Sequence, residues 1–577
     1  MLKLATVFSG IGAIEHGLKR LGIEHEIVFA SDNGDVDIFN KNIKRNLGEI
    51  KLELKRLDKI VHGINIDVKD DYEYLNDLEE HLKKIDERII SLQSKYNQEI
   101  NIDFLEINKN IKDNKLKREI ENIVCNYSKD EEVDVIDKIL VLELLQKNEP
   151  GIYQEEYKNV NLEGKVITKE LREIVSQLNM LDEKIETLNI HNDLSEIKDF
   201  KIKKEYVDNL YKGKEKSNFV KQSYFANYDI DEERFHWNVS FIDGNQYTNK
   251  VDLFVGGSPC QSFSMVGKQR GLSDTRGTLF YEYARLVKEI QPKVFIYENV
   301  KAILSNNQGK TWKTMSEVFD ELGYVWKMMT LNAKDYGIPQ NRERIFVVGF
   351  RNDLVLDSEF EEPKKVKLDK VMKNFLVDNE FGNYYLKKKG VNFVTADNNL
   401  KKKWTQIDGE VQLCQKKNQQ FNWHGDFVFV EENKDLENTM KNLEKYFLSE
   451  KVRKYVMASG TKNFYSKPRI DLEIARPLLT TMHKMHRSGV DNYVTTEGRI
   501  RKLTPKECLR LMGFCDSFNR VVSDTQMYQQ AGNSIVVDVL MAVMEQIIES
   551  LPALLNGDGY KFKKTTEKVD YVAIDKD

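Results

Sequence analysis

Residues 2–32, LKLATVFSGIGAIEHGLKRLGIEHEIVFASD, contain the pattern that decides the fold. An apolar run at residues 4–8 ends in Ser-Gly-Ile-Gly, and apolar positions three and four apart then indicate a helix. A second apolar run at residues 26–30 ends at Ser31 and Asp32. Strand, glycine turn, helix and strand in this order predict the first half of a doubly wound nucleotide-binding sheet.

The alternation of strand and helix breaks off after this half and resumes near residue 236. Strand-like runs then lie at residues 239–242, 251–255, 294–297 and 345–350, with helical patterns between them. Thr504-Pro505 marks the start of a later helix. We therefore expect one α/β domain in three pieces (residues 1–45, 236–354 and 496–550), an insertion (46–235), a smaller, irregular or β-rich domain (355–495) and a loose tail (551–577).

The insertion is dominated by two heptad runs of apolar residues. Their members are Leu75, Leu78, Leu82, Ile85, Ile89 and Leu92 in the first run, and Leu171, Ile174, Leu178, Leu181, Ile185 and Leu188 in the second. Seams of this kind, with charged residues between them, favour coiled-coil packing. Because Pro150 and Gly151 lie between the two runs, we expect an intramolecular antiparallel hairpin, with dimerisation through either run as the alternative.

The charge of the chain is unevenly distributed. The net charge is −5, but residues 51–230 hold 30 basic against 39 acidic residues, whereas residues 361–470 hold 22 basic against 15 acidic residues. This asymmetry is compatible with a basic part that faces nucleic acid and an acidic arm that faces elsewhere. We expect the arm to be a protein contact, a dimerisation element or a spacer, because an acidic surface is repelled by phosphate.

The composition indicates a soluble globular protein. No run approaches 18 consecutive apolar residues, and the N-terminal residues lead directly into a strand, so we expect no membrane association and a location in the bacterial cytoplasm or nucleoid. The five cysteines form no CxxC pair, which argues against a disulfide framework and against a zinc site of the usual spacing. One of these cysteines could still be a nucleophile.

Residues 256–280, GGSPCQSFSMVGKQRGLSDTRGTLF, contain the strongest signal for chemistry. A strand ends at two glycines, and Cys260 follows in a loop rich in Ser, Gly, Lys and Arg. In a doubly wound sheet the carboxyl ends of the strands face the ligand crevice, so Cys260 is expected to project into it. Basic residues such as Lys268, Arg342 and Arg344 would favour the thiolate, the nucleophilic form of cysteine.

Six blocks in order resemble the motif set of the DNA (cytosine-5-)-methyltransferases of bacterial restriction-modification systems. They are FSGIGA (8–13), SPCQSFS (258–264), YENV (297–300), QNRERI (340–345), RKLTPKECLRLMGF (501–514) and QAGNS (530–534). The resemblance implies a Rossmann-like S-adenosylmethionine-dependent methyltransferase sheet, a helical coiled-coil insertion and a small target-recognition domain at residues 355–495. It also implies double-stranded DNA as substrate, without a metal.

The resemblance assigns catalytic roles to four residues. Cys260 would add to carbon 6 of cytosine, which makes carbon 5 nucleophilic towards a methyl sulfonium. Glu298 resembles the acid that hydrogen bonds ring nitrogen 3 and the exocyclic amine, and burial would give it the raised pKa that proton donation requires. Arg344 matches the arginine that reaches the base carbonyl oxygen, and Arg342 is expected beside it.

The resemblance also implies a cofactor site. Gly10 and Gly12 would let the chain turn beneath the methionine moiety, Phe8 would pack on adenine, Asp32 would hold the ribose hydroxyls and Asp243, at the end of a third strand, would accept from the adenine amine. Ala13 replaces a family glycine, and Asn33 stands where relatives often have an aromatic residue. The other expected cofactor positions are Ile11, Gly244, Pro259, Leu279, Asn533 and Ser534.

A base inside the duplex must be flipped out before it can react, and residues 261–276 resemble the family's mobile loop that closes over it. The expected DNA contacts in this loop are Gln261, Ser264, Lys268 and Arg276, and those in the target-recognition domain are His483, Lys484, His486 and Arg487. A solvated basic turn explains the second group equally well.

Two other functions remain open from the sequence. A tRNA cytosine-5 methyltransferase is the nearest alternative, because a branch of this family keeps the same motifs and acts on RNA. A catalytically silent DNA-binding regulator is the second, although the presence of Cys260, Glu298 and Arg344 argues against it.

Overall fold

The structure is a computed structural model in which two compact units are distinguished. It describes residues 1–36, 38–39, 47–63, 69–96, 107, 109–124, 133–149, 161–259, 279–376, 386, 388–415, 423–431, 490–496, 498–556 and 559–562. One unit combines Met1–Val36 with Lys204–Asp577, and the other is Asp37–Lys203. We call them the sheet unit and the insertion unit.

The sheet unit is built on a seven-stranded sheet with the strand order β3-β2-β1-β4-β5-β7-β6. Its strands are β1 (Leu2–Val7), β2 (His25–Ser31), β3 (Phe235–His236), β4 (Leu253–Gly256), β5 (Val294–Val300), β6 (Tyr324–Asn332) and β7 (Glu343–Arg351). Neighbouring strands are parallel from β3 to β5, whereas β7 is antiparallel to both β5 and β6. The prediction of a doubly wound α/β sheet is confirmed.

Helices occur along the whole described chain. They are α1 (Ala13–Arg20), α2 (Leu47–Gly63), α3 (Lys69–Tyr96), α4 (Asn114–Val124), α5 (Val135–Asn148), α6 (Asn161–Glu196), α7 (Phe200–Leu210), α8 (Phe219–Phe225), α9 (Leu279–Ile290), α10 (Lys310–Glu321), α11 (Lys388–Val394), α12 (Asp397–Lys401), α13 (Pro505–Arg510), α14 (Asp524–Asn533), α15 (Val537–Ser550) and α16 (Ala553–Asn556).

The sheet separates two apolar layers, because successive strand residues point to opposite faces. In β5, Val294 and Ile296 join a core that includes α1 and α15, whereas Phe295 and Tyr297 join a core that includes α9 and α10. Arg20 of α1 also pairs with Asp538 of α15 at 2.7 Å. Helices cover both faces, so the strands are buried. The carboxyl ends of the parallel strands from β3 to β5 lie at one shared edge.

The prediction of a strand at residues 239–242 is wrong. Val239–Phe241 forms a short 3-10 turn, capped by the Asn238 side chain, which accepts from the Ser240 amide at 3.0 Å. The guanidinium of Arg285 donates to the carbonyl oxygens of Ile242 at 2.9 Å and Val239 at 3.1 Å. These carbonyls are therefore satisfied outside a sheet, and the third strand is instead the two-residue β3.

The sheet unit resumes earlier along the chain than expected. The sequence interpretation extends the insertion to residue 235, whereas the insertion unit ends at Lys203. Helix α8 and β3 follow this point, and Phe235 pairs with Ala30 of β2. Elements this short have no long apolar period that would mark them as part of the sheet domain.

The insertion unit is a helical bundle with its own apolar core. The heptad residues from Leu78 to Leu92 and from Leu171 to Leu188 are buried in one cluster with residues of α2, α4 and α5. Arg88 of α3 donates to Gln177 of α6 at 2.8 Å, and Asp77 lies near Lys184, so α3 and α6 run antiparallel. Arg56 joins α2 to α6 through Glu186 at 2.7 Å.

A small β barrel lies between the sheet strands and the C-terminal helices in the sequence. Its strands are β8 (Trp404–Ile407), β9 (Gly425–Glu431), β10 (Val490–Thr496) and β11 (Gly498–Lys502), and it closes in the order β10-β11-β9-β8. An isolated bridge between Gln340 and Gln412 links this region to the sheet domain.

The stretch Asp524–Ser550 is the candidate membrane span, by length and composition alone, among the described residues. It contains α14 and α15, and it is interrupted at Ser534. Of its most apolar window, 56% is buried inside the protein. Packing of α15 against the sheet accounts for this apolar composition.

Candidate active site

Four chain segments meet at the carboxyl edge of the parallel strands. They are the glycine turn after β1, Asp32 after β2, the Gly-Gly-Ser-Pro segment at the end of β4, and Glu298 near the end of β5. Since β2, β1, β4 and β5 are adjacent and parallel, these segments lie side by side in the crevice where such sheets bind ligands.

The glycine turn has a left-handed backbone. Phe8, Gly10 and Gly12 have φ values of 53°, 55° and 74°. The Gly12 amide donates to the Ser9 carbonyl at 3.0 Å, which closes the turn, and Ile11 is fully buried beneath it. Glycine adopts this conformation without a steric penalty, which allows the tight turn between β1 and α1.

Asp32 is bound to the glycine turn. Its carboxylate accepts from the Gly10 amide at 2.9 Å and from the Gly34 amide at 2.8 Å. The carboxylate is thereby held at the end of β2, and its oxygens are hydrogen-bond acceptors. Asn33 is exposed, and its side-chain oxygen accepts from the Asp35 amide at 3.1 Å.

Asp243 does not end a strand, contrary to the prediction. It precedes a short 3-10 turn, Gly244–Tyr247, and its carboxylate accepts from the Asn245 amide at 3.1 Å. Gly244 is buried, and its amide donates to Glu289 at 2.8 Å. A Cβ at Gly244 would lie 2.7 Å from the Glu289 carboxylate, so the close contact requires glycine.

The segment that leads to Cys260 is anchored by the YENV block. Asn299 donates to the Ser258 carbonyl at 3.1 Å and to the Tyr297 hydroxyl at 2.8 Å, and that hydroxyl lies 2.7 Å from the Ser258 hydroxyl. A Cβ at Gly257 would lie 2.9 Å from both the carbonyl and the carboxylate of Glu298. The double glycine therefore permits β4 and β5 to bring their ends together.

Glu298 and Arg344 form an ion pair at this edge. Arg344 Nε lies 3.1 Å from Glu298 Oε1, and the side chains are 15% and 13% exposed, respectively. Burial raises the pKa of Glu298 above its usual value of 4.5, and the positive charges of Arg344 and Arg342 oppose this effect in part. The carboxyl group is therefore easier to protonate than an exposed glutamate, which suits a proton donor.

Arg342 is buried and binds backbone carbonyls of two separate segments. It donates to Gln415 at 2.7 Å, and to Gly532 at 3.1 Å and Ser534 at 2.8 Å. Desolvation lowers the pKa of Arg342 to about 10. The guanidinium thus joins the segment before β9 to the QAGNS block, and these backbone contacts are structural.

The remaining predicted cofactor residues lie at the ends of elements. Leu279 is the first residue of α9 and is half-buried, and Pro259 is exposed after β4. Asn533 is exposed as the last residue of α14, and Ser534, which follows it, is buried.

Several predicted residues lie outside the described part of the chain. They are the proposed nucleophile, Cys260, the loop residues Gln261, Ser264, Lys268 and Arg276, and the target-recognition residues His483, Lys484, His486 and Arg487. The structure describes the chain up to Pro259 and again from Leu279.

Sequence reasoning missed two kinds of residue at this site. Asn299 and Tyr297 belong to the YENV block, but their roles as anchors depend on contacts across the sheet. Cys414 lies 3.5 Å from an Arg342 nitrogen and 3.8 Å from an Arg344 nitrogen, although nothing in its sequence neighbourhood indicates this. The order of the sequence blocks could have suggested Asn299 and Tyr297. Only the fold reveals that Cys414 lies near the two arginines.

The chain is similar to a known protein family and to characterised relatives. Residues 197–549 match the family described as C-5 cytosine-specific DNA methylase. The orphan methyltransferase M.SPRI of Bacillus phage SPR is 30% identical over 408 residues, which cover 58% of this chain and 90% of the relative. The type II methyltransferase M.HhaI of Haemophilus parahaemolyticus is 33% identical, with 52% of this chain and 76% of the relative covered. The chain belongs to the C-5 cytosine-specific DNA methylase family and is a DNA (cytosine-5-)-methyltransferase.

Proposed function

We propose that the protein transfers a methyl group from S-adenosylmethionine to carbon 5 of a cytosine that is flipped out of a specific double-stranded DNA sequence. The observation that best supports this proposal is the buried Glu298–Arg344 pair, beside the anchored segment that leads to Cys260. Restriction-modification is the proposed setting, because similar proteins include type II methyltransferases.

The proposed reaction begins at the base. The Cys260 thiolate adds to carbon 6, and Glu298 provides a proton or a hydrogen bond at ring nitrogen 3, so that electron density moves to carbon 5. Arg344 binds the carbonyl oxygen of the base. After carbon 5 has gained the methyl group, water takes the proton from carbon 5, and ring nitrogen 3 returns its proton to Glu298. The bond between sulfur and carbon 6 breaks, and the thiolate is regenerated.

The residues at the edge of β1 and β2 suit S-adenosylmethionine. The left-handed glycine turn and the Asp32 carboxylate are adjacent in the ligand crevice, and a carboxylate accepts hydrogen bonds from hydroxyl groups. The bound cofactor would supply an electrophilic methyl group. Asp243 and Gly244 are proposed at the adenine end, with Pro259, Leu279, Asn533 and Ser534 along the remaining wall.

Arg342 is proposed as a positioning residue for the reaction. Its carbonyl contacts fix Gln415 and Ser534 near Arg344, so it would hold the wall of the site without touching the base. Residues 261–276 are proposed to close over the flipped base, and residues 355–495 are proposed to recognise the DNA sequence.

The insertion is proposed to contain an intramolecular coiled coil formed by the two heptad runs. Its antiparallel α3 and α6 and its own buried core support this proposal. An acidic helical arm suits a spacer, a protein-binding element or self-association better than a DNA-binding surface.

The test is methylation by the purified protein and by Cys260→Ala. Duplex DNA and tRNA are offered with labelled S-adenosylmethionine, and bisulfite sequencing of DNA from expressing cells identifies the methylated sequence. We expect methylated cytosines in DNA within one short sequence, and no methyl transfer by Cys260→Ala although DNA binding persists. Methylation of tRNA alone would contradict the proposed substrate, and undiminished activity of the variant would contradict the mechanism.

A further inference from the structure

Several side chains of the segment between the insertion unit and β3 contact the predicted cofactor site. We call residues 218–228 the return segment; it contains α8 with Asn218 before it and Tyr228 after it. It lies outside all six sequence blocks. Its side chains nevertheless contact the glycine turn, the end of β2 and the helix that contains the QAGNS block.

Tyr228 holds the glycine turn. Its hydroxyl lies 2.9 Å from the Ile11 carbonyl oxygen and 2.7 Å from the Gly12 carbonyl oxygen, so the phenol donates to this backbone. The ring lies against Gly12, where a Cβ would come within 2.6 Å of the ring carbon Cζ. Gly12 and Tyr228 therefore fit each other, and a side chain at Gly12 would displace the ring.

Tyr228 remains a hydrogen-bond donor because its hydroxyl group stays protonated. Burial raises the pKa of Tyr228 well above 10, and the negative charge of Glu15 acts in the same direction. A neutral phenol keeps its proton for the two carbonyl oxygens. The backbone geometry of the turn is thereby fixed at the carbonyl groups of Ile11 and Gly12.

Asn218 holds the end of β2. It is fully buried, its amide nitrogen donates to the Asp32 carbonyl oxygen at 3.0 Å, and its amide oxygen accepts from Lys221 at 2.8 Å. The second contact caps α8, so one side chain connects the start of this helix to Asp32. Asp32 in turn accepts from Gly10, which joins both contacts into one network.

The return segment is itself fixed to two other parts of the sheet unit. Tyr224 donates to Glu15 of α1, which also accepts from Thr6 of β1 at 3.1 Å. Ser223 donates to Gln530 of α14 at 2.8 Å. These contacts make the return segment a rigid support for the turn that Tyr228 reaches.

We propose that Tyr228 and Asn218 are positioning residues for S-adenosylmethionine, which fix the backbone of the glycine turn and of Asp32. The proposal rests on the proposed function, in which these two segments bind the cofactor. A pre-organised loop loses less conformational freedom when a ligand binds, so its loosening weakens affinity without a change in the chemical step.

The test compares Tyr228→Phe with Tyr324→Phe. Tyr324 is a matched control, because its buried hydroxyl donates to the Pro292 carbonyl at 2.7 Å, away from the glycine turn. For Tyr228→Phe we expect the Kd and KM for S-adenosylmethionine to rise about three- to tenfold, the effect of one lost hydrogen bond. We expect kcat at saturating cofactor and affinity for DNA to stay within about twofold.

Asn218→Ser provides a second, independent variant. Serine still caps a helix, but it is too short to reach Asp32, so the same rise in Kd is expected. Melting temperatures show whether each variant is folded. Unchanged cofactor affinity in both folded variants, or an equal rise in Tyr324→Phe, would overturn the proposal. Failure of the native protein to bind S-adenosylmethionine would instead overturn the proposed function.

Discussion

At the scale of single residues, Glu298 combines a cost in stability with its proposed role as an acid. The carboxyl group is largely withdrawn from water, and the ion pair with Arg344 does not fully compensate the loss of hydration. Active sites commonly retain such perturbed groups, because a carboxyl with a raised pKa can serve as an acid. Stability and activity should therefore respond in opposite directions when this charge is removed.

We expect Glu298→Gln to lower methyl transfer by about 100-fold or more, the usual effect of losing a general acid. Since the pKa of Glu298 is raised in the folded state, ionisation disfavours folding above the usual pKa of 4.5. The variant escapes this penalty, so its melting temperature relative to the native protein should increase as the pH rises from about 5 to 8.

Glu343→Gln is the control for this change. Glu343 lies in β7 next to Arg344, is 46% exposed and pairs with Lys301 at 3.0 Å. Exposed pairs of this kind contribute about 0–1 kcal/mol, so we expect activity and its pH dependence to remain close to native. If the melting temperature of Glu298→Gln, relative to that of the native protein, fell as the pH rose, the assigned direction of the pKa shift would be contradicted.

At the scale of elements, the close approach of β4 to β1 depends on Gly256, and its close approach to β5 depends on Gly257. At Gly256 a Cβ would come within 2.7 Å of a Val7 methyl carbon, and at Gly257 it would meet the backbone and carboxylate of Glu298. Strand ends that touch in this way hold the Glu298 carboxyl group beside the described segment that leads to Cys260. Local conformation and catalytic geometry therefore depend on the same residues.

Gly257→Ala tests this close approach. The added methyl group must displace the Glu298 backbone, so we expect a loss of about 1–3 kcal/mol in the free energy of unfolding and a large loss of activity. Gly63→Ala is the control, since a Cβ there meets nothing within 4 Å. Native activity and native stability of Gly257→Ala, measured by methyl transfer and by chemical denaturation, would contradict the proposed packing.

At the scale of the whole molecule, the insertion unit has the properties of a separate structural unit. Its buried apolar residues form a cluster of their own between Ile50 and Leu188, and its net charge is acidic. The sheet unit contains the predicted catalytic and cofactor residues that the structure describes. Methyl transfer should therefore depend on the sheet unit.

We expect a protein in which a flexible Gly-Ser linker replaces residues 37–203 to fold and to methylate the same DNA sequence. The measurements are its melting temperature, its affinity for DNA and its methyl transfer rate. Loss of DNA affinity by a folded deletion protein would show that the arm contacts DNA. A change from dimer to monomer on deletion would instead assign the arm to self-association.

The sequence predicted the features that have a local signature. The strand, glycine turn and helix at residues 2–20 were predictable because apolar period and glycine position indicate them directly. The two-residue strand β3 is too short to show a period, and the run 239–242 is apolar because it packs in the core, with its carbonyls bound by Arg285. Tyr228 and Asn218 were missed because they contact backbone carbonyls. Every residue has such a carbonyl, so no residue type in the sequence indicates the contact.

The most direct test of the central claim is covalent trapping of the nucleophile. A duplex with the recognition sequence that the protein methylates is synthesised with 5-fluorocytosine in place of the target cytosine. This duplex is mixed with the protein and S-adenosylmethionine. Fluorine cannot leave carbon 5 as the proton does, so the sulfur adduct persists and mass spectrometry identifies its peptide. We predict an adduct on Cys260 that is absent from Cys260→Ser. Methyl transfer to normal DNA with no adduct on Cys260, or with the adduct on Cys414, would contradict the account.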